Sequence, residues 1–516
     1  MAFLKAVTTV GGFTLGSRVL GLIRDIIIAS FLGAGASSDA FFIALKLPNF
    51  FRRITAEGAF SYSFVPMFSK MLGDKNNAKA FAEEAQAVMI ATLLPFTIVA
   101  VVFMPWILYV IVPGITDEPV RYAYAIEFSR ITFPYILMMS LTALLGGVMN
   151  SLNRFAAFAI APMFFNISLI ISTIFFSDIL GSAAHALSWG VVISGVIQFL
   201  WMLYNAHKSG FALKFRVPII TPRIKKLFKL MIPGIIGAGA VQINMFIDMF
   251  LASMLPVGSI SFLYYADRLY QLPLGVIGVA VSTALLPMLA KAIKKDNGSC
   301  KKLSSNAFEA AFALSLPAAI GLIVLAEPVI TVLFERGEFV HSDTIQASKA
   351  LIAYAFGIPA YVLARVFSTS FFAREDTKTP VKYAIISACI NTVLAVILIL
   401  PFKHVGIATS TAISAWFNLF MLVRKLKKRN QLALHEDVFI KLIKIFISAV
   451  VLGAVAWFGY NINTELNLIM QLISVIIIAK FAYFLSLYML GVFNLSSIKD
   501  MFSAQGEVLN EEHFEN

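Results

Sequence analysis

The sequence predicts an all-α integral membrane protein of fourteen transmembrane helices, built as two pseudo-symmetric six-helix lobes plus two extra C-terminal helices. Three observations predict it. Hydrophobic residues make up 59% of the chain and charged ones only 13%, with a mean hydropathy of +0.85. Soluble domains carry about 25% charged residues, so this composition belongs in a bilayer. Apolar stretches of the length that crosses a hydrocarbon core, about 20 residues, recur along the whole chain. Short motifs also recur between its first and second halves.

The spans are expected, in order, at about 7–32, 39–66, 86–112, 124–149, 156–177, 184–206, 228–254, 261–290, 308–334, 346–371, 381–401, 405–423, 439–460 and 468–492. The first is read as a retained span, because no cleavage site follows the apolar run from Phe3. Lys and Arg fall unevenly in the connections. Twenty-eight lie on one side, seven of them between Lys208 and Lys229, and only Arg121, Arg336, Lys349 and Lys403 lie on the other. That bias places both termini in the cytoplasm. It also accounts for the net charge of +13 without nucleic acid.

The repeat carries the architecture. VPMFSK at 65–70 returns as LPMLAK at 286–291, Asp25 is matched by Asp248, and Lys46 by Arg268. Pro134 and Asn166 return at the same spacing as Pro359 and Asn391. Residues 1–226 are therefore expected to form one lobe and 227–432 the other, with 433–496 as the two added spans and 497–516 as a cytoplasmic tail. Both halves begin on the same side, so the pseudo-axis runs along the membrane normal. Such repeats commonly enclose a central site and alternate access to it, with a channel or a static scaffold as the alternatives. The two cysteines, Cys300 and Cys389, show neither a disulfide pattern nor metal-ligand spacing.

The first two spans and the eighth hold the charges that need explaining. A charge at mid-bilayer costs about 2.5–3.5 kcal/mol on insertion scales. Yet Arg18, Arg24, Asp25, Asp39, Lys46, Arg52, Arg53 and Glu57 all fall inside membrane-length segments, as do Asp267 and Arg268. Arg18 and Asp25 share a helix face, as do Asp39 and Lys46, and Arg53 and Glu57 are an i,i+4 pair. By helical rise, Arg18 and Arg52 fall near mid-membrane, and Arg24 and Arg268 fall about ten ångströms from the outer face. Arginines from three spans are thus expected to converge on one anion site, for which the planar guanidinium suits phosphate. Arg18, Arg24, Arg52, Arg53 and Arg268 are the expected ligand contacts. Asp25, Asp39, Glu57 and Asp267 are expected to orient or gate them, or to neutralise them when the site is empty.

At these residues the chain resembles the MurJ (MviN-type) lipid II flippases of the MOP exporter superfamily. The resemblance is carried by GSRVLGLIRD at 16–25, SDAFF at 38–42, LPNFFRRITAEGAFS at 47–61 and YADRLYQLPLG at 265–275, and it covers nearly the whole chain. It implies translocation of undecaprenyl-pyrophosphate-linked peptidoglycan precursor, lipid II, from the inner to the outer leaflet of the bacterial plasma membrane. It implies that Arg18, Arg24, Arg52 and Arg268 are the essential cavity cations and that Asp39 matches a functionally sensitive acid. It further suggests that the last two spans form a side groove for the polyprenyl tail, with a plain widening of the bundle as the alternative. Gln271 departs from the pattern, since some members carry Glu there. Lipid II and membrane lipids are the expected partners, with cell-wall synthesis proteins as candidates and a monomer as the expected state. Rival readings are a cation-coupled multidrug exporter, an exporter of another polyprenyl-linked glycan, and a membrane glycan polymerase. The arginine-rich site and the short outer loops speak against the first and the last.

Asp248, Asn391 and Thr411 are a candidate sodium site, since carboxylate, amide and hydroxyl oxygens suit that ion. Plain interhelical hydrogen bonding is the alternative. No resident cofactor is expected. No P-loop is present, so energy is expected from an ion gradient or the membrane potential rather than from ATP. Glu127 and Arg130 read as a structural pair. The basic loop 208–229 reads either as a lipid-binding surface segment or as topological charge.

Overall fold

The computed structural model describes residues 2–53, 60–295, 299–432, 434, 437–462 and 466–492. The helices of the first half are α1 (Ala2–Leu32), α2 (Ala36–Arg52), α3 (Ser61–Met71), α4 (Lys75–Val102), α5 (Met104–Ile111), α6 (Pro119–Thr132), α7 (Tyr135–Ser151), α8 (Phe155–Phe176) and α9 (Ala183–Lys208). They are followed by α10 (Pro222–Ser253), α11 (Ser259–Pro273), α12 (Val279–Lys295), α13 (Ser299–Val324) and α14 (Ala326–Phe334). The last are α15 (His341–Phe356), α16 (Ile358–Phe372), α17 (Lys378–Lys428), α18 (Val438–Asn461) and α19 (Leu468–Met489). No strand occurs among the described residues, as expected where every backbone group must find its partner within its own segment.

Ten helical stretches among the described residues are long and apolar enough to cross a membrane. One of them, Lys378–Lys428, covers two expected spans and is broken at Lys403, which sits in non-helical geometry just after Pro401. The expected spans at 7–32, 39–66 and 228–254 are missing from the ten. The first two are the segments loaded with charge, and the second is also short, since α2 has 17 residues and residues 54–59 lie outside the described ones. The count of fourteen is therefore not reached by length and composition alone.

Local chemistry sets the helix ends. The Asp74 carboxylate accepts from the N–H groups of Asn76 and Asn77 to start α4, which begins well before the apolar run expected at 86. Ser182, Thr221 and Asn467 start α9, α10 and α19 in the same way. Such caps satisfy otherwise unpaired N–H groups in the first turn. Prolines mark the breaks. Pro134 opens α7 after α6, and the matched Pro359 lies in the first turn of α16 after α15.

The chain divides into two compact units. The first comprises Met1–Tyr265, Leu333–Gln346 and Thr392–Ile407. Within it α8 packs on both α1 and α9, α2 packs on α6, and α7 on α9. An aromatic-rich core of Phe60, Phe64, Phe68 and Phe81 fills the space between α3, α4, α7 and α10. Gly33 and Gly337 both take positive φ of 59°, and a side chain on either would strike the opposing backbone, at Glu338 and Ser30 respectively. Between them the Glu338 N–H donates to the Ser30 carbonyl at 2.9 Å. The second unit comprises Ala266–Val332, Ala347–Asn391 and Ala408–Asn516. Its core lies between α13, α18 and α19, around Ile445, Ala449, Leu452, Val475 and Tyr483, whose hydroxyl donates to the Ala313 carbonyl at 2.6 Å.

Candidate functional site

The α1–α2 turn is short, because α2 already begins at Ala36, ahead of the span expected from 39, and takes in Ser38 and Asp39. This places Arg24 and Asp25 near the end of α1 and Asp39 in the first turn of α2.

Arg24 is only 6% exposed and Asp25 only 2%. The Arg24 Nε and one terminal nitrogen donate to Asp25 Oδ1 at 3.0 and 2.6 Å. The other terminal nitrogen donates to Asn166 Oδ1 at 2.9 Å. Tyr264 accepts from Arg24 at 3.2 Å and donates to Asp25 at 3.0 Å. Asn166 is itself held, since its amide donates to the Ser17 carbonyl at 2.9 Å. The guanidinium also lies over the Phe165 ring, 5.5 Å from its centroid. A buried charge is tolerable only when paired and hydrogen-bonded, and Arg24 has both kinds of partner.

Asp39 is fully buried and meets three hydrogen-bond donors and one guanidinium. It accepts from the N–H groups of Gly258 and Ser261, each at 2.8 Å, and from the Ser261 hydroxyl at 2.6 Å. Arg121 pairs with it at 2.8 Å, and the side chains of both are 0% exposed. The carboxylate thus sits at the N-terminus of α11, where the exposed N–H groups and the helix dipole favour negative charge. Arg121 was expected in an outer connection. It is instead inside α6, which starts at Pro119, and it also donates to the Leu255 carbonyl at 3.3 Å. One ion pair therefore joins α2, α6 and the start of α11.

The remaining expected contacts differ in setting. Arg18 is half-buried on α1 and makes no hydrogen bond or ion pair among the described residues. Arg52 is half-buried and donates from Nε to Asn49 at 3.1 Å, and Arg53 is exposed. Glu57 lies outside the described residues. Arg18, Arg24, Asp25, Asp39, Arg52 and Arg53 all belong to the first unit, whereas Asp267 and Arg268 belong to the second. Arg268 is half-buried, and Asp267 accepts from the Gln271 amide, a bond that a carboxylate at 271 could make only if one of the two were protonated. Asp248 lies in the first unit, and Asn391 and Thr411 in the second. Glu127 and Arg130 do not pair with each other. Glu127 takes His185 at 2.9 Å, and Arg130 donates to the Val101 carbonyl at 3.1 Å.

A family model described as "Lipid II flippase MurJ" matches residues 28–493. The chain belongs to the MurJ lipid II flippase family. A protein of Rhizobium meliloti (strain 1021), described as "Probable lipid II flippase MurJ", is 38% identical over 515 residues, which is 97% of this chain and 96% of that one. A solved structure described as "Lipid II flippase MurJ, inward closed conformation" superposes with a TM-score of 0.80 at 29% identity, covering 92% of this chain and 97% of that one. An inward-facing multidrug resistance MATE family transporter of the MOP superfamily superposes with a TM-score of 0.69 at 15% identity, covering 81% and 95%. At that identity the likeness is one of fold. Like the MurJ proteins it resembles, the chain is a multi-pass membrane protein.

Three residues of the site escaped the sequence reading. Asn166 left a signal, because it is a buried amide repeated as Asn391. Tyr264 sits immediately before the YADR motif. Arg121 left only its rarity, being one of four cations on the cation-poor side.

Proposed function

We propose that this chain moves undecaprenyl-pyrophosphate-linked peptidoglycan precursor from the inner to the outer leaflet of the bacterial plasma membrane by alternating access. It does so without making or breaking a covalent bond. The observation that supports this most directly is a guanidinium retained deep in a membrane protein of the MurJ family. Arg24 sits 6% exposed, held by one carboxylate, one amide and one phenol. Its chemistry suits exchange. A pyrophosphate can offer two oxygens to the guanidinium edge that now meets the single Asp25 Oδ1, and with more charge. Binding then means replacing Asp25 around a group that Asn166 keeps in place. Arg18, with no partner among the described residues, supplies a second cation on the same helix. Arg52 and Arg268 complete the set in this reading. Asp39 and Arg121 hold the end of the bundle nearest the α1–α2 turn, and the basic loops lie in the cytoplasm with both termini.

Return of the empty, positively charged cavity is driven by the membrane potential, worth about 2.3 kcal/mol per charge per 100 mV. A sodium ion at Asp248, Asn391 and Thr411 is the complementary coupling device. The polyprenyl tail, which carries about 0.8 kcal/mol of transfer energy per buried CH₂, stays in lipid-like surroundings beside α18 and α19. The protein acts as a monomer.

Arg24→Ala or Arg52→Ala is expected to abolish complementation of a flippase-depleted strain while insertion stays normal. A leaflet-resolved assay of labelled precursor, with and without the protein, reads the transport itself. Full complementation by either variant would overturn the site, and unchanged outer-leaflet precursor on depletion would overturn the function.

A further inference from the structure

Between the end of α9 at Lys208 and the start of α10 at Pro222 the chain is non-helical from Phe211 on. Because α9 is membrane-length, this short linker stays close to the membrane face where α9 ends. Its inner side is tied to α4. Glu83, 1% exposed, accepts from the Lys214 N–H at 3.0 Å and pairs with Arg216 at 2.5 Å. Glu84 accepts from the Thr221 hydroxyl at 2.8 Å and pairs with Arg223 at 2.6 Å. Phe215, Val217, Ile219 and Ile220 are 79%, 77%, 60% and 62% exposed.

The start of α10 continues the division. Ile224, Leu227 and Met231 are buried in the core of the first unit, while Lys225, Lys226 and Lys229 point outward. The two acids nearest the strap are both engaged by Arg216 and Arg223, so the outward charge is positive. A face that is apolar along one edge and cationic along the next, at the end of a membrane-length helix, matches an acidic bilayer surface.

We propose that residues 214–229 form a docking strap for acidic phospholipid headgroups. Phe215, Val217 and Ile219 enter the boundary between headgroups and acyl chains. Lys225, Lys226 and Lys229 take the lipid phosphates. The Glu83 and Glu84 clamps hold the strap in register, so that lipid engagement is transmitted to α4.

The test uses the full chain with Cys300→Ser and Cys389→Ser and an environment-sensitive fluorophore on Val217→Cys, reconstituted in phosphatidylcholine vesicles with or without phosphatidylglycerol. The probe is expected to be quenched by brominated lipid and shielded from aqueous iodide, more strongly when phosphatidylglycerol is present. Replacing Lys225, Lys226 and Lys229 together by Glu should remove that phosphatidylglycerol increment, with each lysine worth about fivefold in local affinity. Iodide access without lipid quenching would overturn the proposal. So would an increment that survives the lysine changes. Shielding seen only in native membranes and never in pure-lipid vesicles would assign the face to a protein partner and overturn the lipid assignment.

Discussion

In the first half of the repeat, Asp25 is preceded by Arg24, whereas at the matched place in the second half Asp248 is preceded by Ile247. The carboxylate and the amide recur, as Asp25 and Asn166 and as Asp248 and Asn391, but the arginine does not. In the first half the guanidinium lies between the two, bonded to both. A carboxylate inside a membrane calls for a positive partner. The first half supplies one on its own backbone. The second half carries Ile247 at that place, so the charge of Asp248 is met from elsewhere than its chain neighbour.

The ion pairs make a second contrast. Asp39 and Arg121 in the first unit are wholly buried, while Asp376 and Arg429 in the second join the α16–α17 connection to the end of α17 with side chains 22% and 36% exposed. Removing one partner of a buried pair is costly because the other cannot fall back on water, and an open pair is weak because both can.

The largest expected effect comes from breaking the buried pair. Arg121→Met strands Asp39 and is expected to cost about 3–5 kcal/mol in thermal unfolding of the detergent-solubilised protein. Adding Asp39→Asn should recover part of that loss, and no difference between the single and double variants would mean the two residues are not coupled. Next is Asn166→Leu, which removes an acceptor from Arg24 and is expected to cost about 1–3 kcal/mol. Its transport should fall even at temperatures where the protein remains folded. The contrast between halves is sharpened by Ile247→Arg, which gives the second half a tethered cation. Sodium at ten times its dissociation constant should stabilise the unmodified protein by about 1.4 kcal/mol. That stabilisation should vanish in the variant, and sodium stabilisation retained in the variant would break the comparison.

The smallest effect is expected at Asp376, where hydrogen bonds from Thr379 and the guanidinium of Arg429 pull the carboxyl down to about 2. A depressed carboxyl contributes stability that is complete above its unfolded value of about 3.9 and fades as pH falls through about 2. Acid unfolding curves of the unmodified protein and of Asp376→Asn should therefore differ only slightly at neutral pH and converge in that acid window.

Much of this molecule was legible in the chain. Apolar length gave the helical membrane class, and charges too costly to leave in lipid marked Arg18, Arg24, Asp25, Asp39 and Arg52 as residues with a reason to be there. Arg121 shows where that reading stops. Its position near the end of a hydropathy window looks like a loop, because hydropathy averages over neighbours and does not see a partner eighty-two residues earlier at Asp39. Glu127 shows the same limit, since i,i+3 spacing offered Arg130 while the fold gave it His185. The sequence by itself determined which charges would have to be compensated, because the cost of burying a charge belongs to the residue and its solvent. Only the tertiary structure decided which residues compensate them, because partners such as Asn166, Tyr264 and Arg121 are brought near by helix packing and carry no local mark of it.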